Sequence, residues 1–129
     1  MFRMGIIAGI ACVALAGCNT TSSTKAVASG QTIRVNYYST LNADCTSMGQ
    51  TVVRVVDGPA SGRISVTQTV GNSTFRQGNQ RYHCNAMKTP GTLVTYTPNP
   101  GFKGTDRVTL DAIFANGVNL SQSYNIVVK

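Results

Sequence analysis

Residues 107–128 read RVTLDAIFANGVNLSQSYNIVV, and this stretch carries the clearest strand–turn–strand pattern in the chain. The even positions from Val108 to Phe114 are apolar and the odd positions from Arg107 to Asp111 are polar. This period of two is typical of a strand with one inward face and one wet face. Asn116-Gly117 follows, and it is a strong hairpin signal because both residues tolerate positive φ. The even positions from Tyr124 to Val128 then supply the inward face of a last strand.

The same period continues upstream, and no segment shows the pattern of an amphipathic helix. We predict seven short strands, at residues 32–37, 51–56, 64–67, 81–84, 93–97, 107–114 and 124–128. Tyr37 is expected to face inward from the first strand, and Tyr82 and Cys84 from the fourth. Seven short strands with regular turns predict an all-β fold, an antiparallel immunoglobulin-like β-sandwich.

The start of the chain has the pattern of an exported protein. One positive charge at Arg3 precedes an apolar run over 5–16, which is too short for a bilayer core that needs roughly 20 apolar residues. A charged start, a short apolar run and small residues at its end are typical of a secretory signal peptide. Residues 15–18, Leu-Ala-Gly-Cys, resemble a bacterial lipobox. The alternative is an ordinary secretory signal that contains a cysteine.

The lipobox resemblance implies cleavage before Cys18, a thioether from its thiol to diacylglycerol, and acylation of the freed amine. Asn19 follows, and by resemblance to lipoprotein sorting signals a residue other than Asp favours the outer membrane over the inner membrane. We therefore predict a signal peptide over 1–17, a lipidated cysteine with a Ser/Thr-rich flexible tether over 18–31, and the sandwich domain over 32–129.

With Cys18 used by lipid, Cys45 and Cys84 remain as one pair in the mature chain. In an oxidising compartment they are expected to form a disulfide. Closing a loop of about 40 residues stabilises a fold by about 4 kcal/mol on the chain-entropy model. Two thiols and one distant histidine do not have the usual zinc-ligand spacing, so no metal and no cofactor are predicted.

Residues 96–108, YTPNPGFKGTDRV, resemble a segment of the bacterial Ig-like, cadherin-like modules of surface proteins. Residues 57–64 look like the earlier Pro-x-x-Gly turn of those modules, and the resemblance extends loosely over 50–128. The resemblance implies a structural turn motif made of Tyr96, Pro98, Pro100, Gly101, Phe102, Gly104 and Asp106. Such modules usually occur in tandem arrays and lack the cysteine pair, whereas this chain carries one copy with a pair.

The residue types of the turn motif also predict a structural role without reference to the family. The two prolines forbid ladder hydrogen bonds and force a crossover between strands. Phe102 is expected to plug the end of the sandwich, Gly104 to permit a tight turn, and Asp106 to cap backbone N–H groups locally. Asp106 could instead bind calcium, but four Asp in the whole chain are too few for six or more oxygen ligands.

The mature residues carry ten Lys or Arg, after removal of Arg3, against four Asp and no Glu, a formal charge of +6. A basic exported protein can meet anionic glycans, lipid headgroups or nucleic acid. The arginines are scattered without a basic run, which argues against nucleic acid and is also consistent with a merely solvated surface. There is one histidine, His83, and no Gly-x-Ser-x-Gly or Ser-x-x-Lys motif, so no enzyme is predicted.

Two hypotheses about function remain. The first is a membrane-anchored envelope lipoprotein with an adhesive or assembly role, binding an envelope protein or an anionic glycan through a free edge or through loops at 71–80 and 85–91. The second is a small inhibitor of a lysozyme-type periplasmic hydrolase. Tyr82-x-Cys84 and the size resemble lysozyme-inhibitor lipoproteins, whereas their Ser-Gly-containing inhibitory loop is not evident.

Overall fold

The computed structural model describes residues 21–129. The predicted signal peptide and the lipidated Cys18 lie outside these residues. The described elements, in chain order, are β1 (Thr21–Val27), β2 (Ile33–Tyr38), β3 (Val52–Asp57), β4 (Gly62–Gly71), a 3-10 helix (Tyr82–Ala86), β5 (Thr89–Pro98), β6 (Gly104–Ile113) and β7 (Asn119–Val128). Within residues 21–129, no helix has the length and apolar character needed to cross a bilayer.

The strands form two sheets, one in the order β1-β7-β6-β3 and one in the order β2-β5-β4. This is the immunoglobulin arrangement, in which the second, fifth and fourth strands share one sheet and the third, sixth and seventh share the other. The predicted immunoglobulin-like sandwich with one disulfide is therefore confirmed. It is not antiparallel throughout, because β1 pairs with β7 in parallel.

Strand β1 lies in the stretch that was predicted to be a flexible tether, and for residues 21–27 that prediction is wrong. Seven consecutive residues pair with residues 122–128 of β7, which would otherwise be an edge strand. Of residues 22–27 of β1, only Val27 is buried, so the strand is held mainly by backbone hydrogen bonds. A solvated edge strand does not need the apolar alternation by which strands are recognised in a sequence.

Contrary to the prediction, strand β2 does not keep one alternation of inward and outward residues along its whole length. The pairing of β2 with β5 shifts register between Arg34 and Asn36, which marks a β-bulge. As a result Tyr38, and not Tyr37 as predicted, is the buried tyrosine of this strand. The Tyr37 ring instead packs over the backbone at Gly91.

The predicted strand at 81–84 is also wrong, because residues 82–86 form the 3-10 helix. Cys84 is buried as expected, but Tyr82 is 47% exposed. The alternation of Tyr82 and Cys84 imitates the period of a strand. The predicted number of strands, seven, agrees with the structure only because β1 takes the place of the strand predicted at 81–84.

The main core lies between the two sheets and draws on every strand except β3 and β4 for its fully buried residues. These residues are Val27, Val35, Tyr38, Val94, Tyr96, Val108, Leu110, Ala112, Tyr124, Ile126 and Val128. Val53 of β3 and Ile64 of β4 are half-buried against this cluster. The core is therefore densest at β5, β6 and β7, and it thins toward the side where β3 and β4 lie.

Gly62 lies where β4 passes very close to the Tyr96 ring, and we predict that Gly62→Ala destabilises the fold. An added Cβ would lie 2.5 Å from three atoms of that ring. Because Tyr96 is completely buried, it cannot move aside, and overpacking of this kind costs about 2–3 kcal/mol. Urea unfolding measures the loss. Gly71→Ala in the same strand is the control, since its Cβ would lie 3.2 Å from the half-exposed Tyr37; equal losses would contradict the prediction.

Candidate functional site at the loop end

Three loops meet at one end of the sandwich, which we call the loop end. They are residues 39–51 between β2 and β3, residues 72–88 between β4 and β5, and residues 114–118 between β6 and β7. Residues of all three loops line one depression. The two segments predicted as contact loops, 71–80 and 85–91, fall largely within the second of these loops.

The disulfide between Cys45 and Cys84 ties the first loop to the second, which confirms the predicted pair. Both cysteines are buried, and together with Leu41 they form a small apolar cluster of their own. Phe75 packs against this cluster from the middle of the second loop. The loop end therefore has a second core, separate from the one between the sheets.

Hydrogen bonds reinforce this covalent link. The Arg81 Nε donates to the carbonyl of Leu41 at 2.7 Å, which is a second connection between the first two loops. Within the second loop, the Asn85 side chain accepts from the Phe75 N–H and donates to the Phe75 carbonyl, both at 2.9 Å. Phe75 is thus held by its backbone as well as by its ring. Loops fixed in this way lose less conformational entropy when they bind a partner.

Two adjoining depressions make one continuous groove across the loop end. The first has a volume of about 340 Å³ and the second, which reaches between β2 and β7, about 260 Å³. Both are lined by Ser39, Phe75 and Phe114. The first is lined in addition by Leu41, Met48, Arg81 and Val118. The groove is therefore mainly apolar at its wide part, with one cation at its rim.

The second depression has a neutral polar floor. The Gln122 Oε1 accepts hydrogen bonds from the Tyr124 hydroxyl at 2.8 Å and from the Tyr38 hydroxyl and the Asn36 Nδ2 at 3.2 Å. Burial, and then the hydrogen bond with Tyr124, raise the pKa of Tyr38 well above its usual value. Tyr38 therefore stays protonated at neutral pH, and this floor offers hydrogen bonds and no charge.

The second loop carries an excess of positive charge. It contains Arg76, Arg81 and Lys88, of which Arg81 lines the groove, and the acidic residue of the first loop is Asp44. The Thr46 hydroxyl donates to Asp44 at 2.6 Å, and hydrogen bonds from this hydroxyl and then from the Thr46 N–H lower the pKa of Asp44. Among residues 21–129, the ion pair that the structure contains joins Arg54 to Asp111 on a sheet face. Arg81 thus has no carboxylate partner at the groove, and the local field favours an anionic group.

His83 directly precedes Cys84 in the sequence, and its ring lies close to both cysteines. Its Nε2 is 3.9 Å from the Cys84 sulfur, and ligand atoms of Cys45, His83 and Cys84 lie within 4.8 Å of one another. The expectation of a distant histidine is therefore wrong. Both sulfur atoms are joined to each other, however, so neither is a thiolate available to a metal ion or to a Cys–His dyad.

The predicted turn motif lies at the opposite end of the sandwich. Pro98 ends β5 and Gly104 begins β6. Phe102 is half-buried against the main core, close to Gly104, whose φ of +141° is a conformation that side chains disfavour. The Tyr96 hydroxyl donates to Asp106 at 2.7 Å across this end. The motif therefore closes the end of the sandwich and does not contribute to the groove.

Asp106 is the polar centre of that end. Its carboxylate accepts locally from the Arg107 N–H at 2.9 Å, as predicted, and also from the N–H groups of Ala60 at 2.8 Å and Ser61 at 2.9 Å, so it caps a distant turn as well. Burial by itself would raise the pKa of Asp106, but the hydrogen bonds from Tyr96, Ala60, Ser61 and Arg107 outweigh it and lower the pKa. Because both oxygens face N–H or O–H donors, this carboxylate is engaged as a structural cap and not free to hold calcium.

The residues that line the groove were mostly missed from the sequence. Leu41, Met48 and Val118 stand alone in polar loops, and the strand period does not extend to them. Phe75 was recognisable as a lone aromatic residue in a polar stretch, which was the one signal available. The pairing of Cys45 with Cys84 placed two of the loops together, but nothing in the sequence placed the 114–118 loop beside them.

Comparisons with known proteins give no match to a protein-family model and none to a curated protein. Among solved structures, the chain is similar to amebosin, at 13% identity and a TM-score of 0.43, covering 84% of this chain and 98% of that one. It is also similar to EhICP2, a cysteine protease inhibitor from Entamoeba histolytica, at 11% identity and a TM-score of 0.44, covering 86% of this chain and 95% of that one. Likenesses at this level carry no inference about function.

Proposed function

We propose that this chain is a non-catalytic binding module of the bacterial cell envelope, which captures its partner in the groove of the loop end. The observation that carries the proposal is the groove itself, an apolar depression held open by the Cys45–Cys84 disulfide, the Arg81–Leu41 hydrogen bond and the Asn85–Phe75 clamp. A preformed concave site with few polar groups is the usual form of a binding site.

The cellular setting of the proposal comes from the start of the sequence. Cleavage before Cys18 and lipidation of its thiol would anchor the chain in the outer membrane, with the domain beside the bilayer. Mass spectrometry of the mature chain tests this part. A diacylglyceryl mass on an amino-terminal Cys18 is the expected result. An unmodified residue 18 would contradict the lipid anchor, but it would leave the proposal of a binding groove unaffected.

The partner that suits this groove is an envelope protein or an anionic glycan. The apolar lining favours a protruding apolar group, and Arg81 at the rim favours an acidic group beside it. The alternative function, inhibition of a lysozyme-type hydrolase, would use the same end of the molecule. A lysozyme assay separates the two, because inhibition at near-stoichiometric concentration would favour the alternative.

We predict that Val118→Asp weakens capture of the partner. Val118 lines the groove and is 54% exposed, so the change places a negative charge in the apolar site at little cost to folding. Immobilised full chain would be incubated with fractionated envelope proteins and polysaccharides, and binding to the retained species measured. A loss of about tenfold, equal to about 1.4 kcal/mol, is expected.

Val56→Asp is the matched control, since Val56 is 60% exposed but lies on β3, outside the groove. Its binding should equal that of the wild type. Capture of a glycan should also weaken as salt is added, because exposed charge contacts are screened. Equal binding by both variants and the wild type would contradict the assignment of the groove.

A further inference from the structure

The exposed large apolar side chains of residues 21–129 fall into two separate groups. Four belong to the loop end, namely Met48, Tyr82, Met87 and Val118. The other five lie on β3 and β4, namely Val52, Val55, Val56, Val66 and Val70, with exposed fractions of 55, 44, 60, 41 and 61%. The groove does not account for this second group.

The five valines lie on one side of the sandwich. Strands β3 and β4 are each at the edge of a sheet, and the two edges are adjacent because the Gln68 side chain of β4 donates to the carbonyl of Thr51, just before β3. Val55 pairs with the buried Leu110 and Val66 with the buried Val94, so both point into the gap between the sheets. Their exposure shows that this side of the core is open. An apolar open side marks an interaction surface.

Strand β3 has only part of the usual protection of an edge strand. Edge strands are commonly guarded by a lysine, an inward charge, a proline or a β-bulge, and of these β3 has the β-bulge, at Val56. The β3 sequence, VVRVVD, has no lysine and no proline, and its one cation, Arg54, is engaged by Asp111 at 3.2 Å. Its outer backbone edge is therefore open to pairing with another strand.

A β-bulge places the two charged residues of β3 on the same face. Arg54 lies opposite Asp111 and Asp57 lies opposite Thr109, with Val56 as the extra residue that interrupts the register. Because Asp111 and Thr109 are two residues apart on β6, they share a face of the sheet, and so do Arg54 and Asp57. Opposite charges thus stand at equal distances from the point between Val55 and Val56, in the second half of β3.

We propose that β3 pairs, antiparallel, with β3 of a second copy of this chain, about a two-fold axis between Val55 and Val56. In this register Arg54 lies opposite Asp57 of the second copy, and the same pair forms again on the other side of the axis. Val55 lies opposite Val56 of the second copy. A two-fold contact requires one surface to be complementary to itself, and a strand with Arg54 and Asp57 placed symmetrically meets that requirement. The strand that pairs with the open edge of β3 is therefore β3 of a second copy of this chain.

Charge exchange tests the register. The full chain would be studied in detergent micelles by sedimentation equilibrium at matched solvent density. The wild type should form dimers, and Arg54→Asp or Asp57→Arg should each weaken association about tenfold, because two attractive cross-strand pairs become repulsive. The double variant Arg54→Asp/Asp57→Arg restores both pairs with the charges exchanged, so its association should return to within about threefold of the wild type.

Arg54→Asp also removes the ion pair with Asp111, so it could destabilise the monomer itself. Two further variants, which leave that ion pair intact, therefore test the dimer separately. Val56→Asp, on the bulge, should weaken the dimer, whereas Val118→Asp at the loop end should leave it unchanged. This is the reverse of their effects on partner capture, so failure of the dimer and failure of the groove can be told apart. A wild type that stays monomeric at about 100 μM, or a double variant as weak as the singles, would overturn the proposal.

Discussion

Replacing Asp106 with alanine should lower the free energy of unfolding by about 3–4 kcal/mol. The carboxylate accepts hydrogen bonds from the Tyr96 hydroxyl and from the N–H groups of Ala60 and Ser61, and these join β5 and the turn after β3 to β6. Alanine would leave these donors without an acceptor, and hydrogen bonds to a charged group contribute about 1.5–3 kcal/mol each when fully buried. We take less than their sum because Ala60 and Ser61 are partly exposed. Urea unfolding at neutral pH measures the loss.

The same carboxylate should make stability depend on pH in the acid range. Its pKa is lower in the folded chain than in the unfolded chain. Its stabilisation is therefore fully present above the unfolded value, which is near 4, and it is lost as the pH falls from there through the folded pKa. Below the folded pKa, Asp106 is protonated in both the folded and the unfolded chain, and its carboxylate no longer contributes to stability.

Asp106→Asn is the control for this pH dependence, because the amide keeps an acceptor but does not titrate. The variant should be less stable than the wild type at neutral pH, and the two stabilities should converge as the pH falls. Asp44→Asn should be measured in parallel, since the pKa of Asp44 is also lowered. A constant difference between wild type and Asp106→Asn across the acid range would contradict the assigned role of the carboxylate.

The sequence predicts most of the fold because the core residues of the sandwich alternate with polar residues along the strands. Of the residues predicted to face inward from the last two strands, those in β6 and β7 are buried, whereas Phe114 lies beyond the end of β6 and is half-buried. The buried residues are Val108, Leu110, Ala112, Tyr124, Ile126 and Val128. Pairing between neighbouring strands left no comparable signal. Strand β1 was missed because its contacts with β7 are made mainly by the backbone, which every sequence provides, while its side chains from 22 to 25 are polar and lack apolar alternation.

The candidate site was less predictable for a related reason. A groove between loops depends on where three chain segments lie in space. Phe75 follows a strand of one sheet and Phe114 follows a strand of the other, so their positions depend on how the two sheets pack. Conversely, the turn motif at 96–108 was conspicuous in the sequence, yet its residues close the opposite end of the sandwich. The conspicuous motif therefore reports a constraint of folding, whereas the groove is lined by residues that stand singly in three separate loops.

Removing the disulfide should have the largest single effect on this molecule. The bridge closes a loop of 39 residues, and on the chain-entropy model the double variant Cys45→Ala/Cys84→Ala loses about 4 kcal/mol of unfolding free energy. It also removes the sulfur atoms from the small core that supports Phe75, so the groove should bind its partner less tightly than the loss of stability alone implies. Urea unfolding and the capture assay measure the two effects separately.

The backbone at Cys45 supplies a control for this prediction. Its φ is +71°, in the left-handed region that alanine disfavours and glycine tolerates, so Cys45→Gly/Cys84→Ala should recover about 1 kcal/mol relative to the double alanine variant. Reductant should destabilise the wild type to a similar extent and leave both double variants unchanged. If the wild type in fact carried two free thiols at these positions, reductant would shift nothing, and the bridge could not be what holds the loop end in shape.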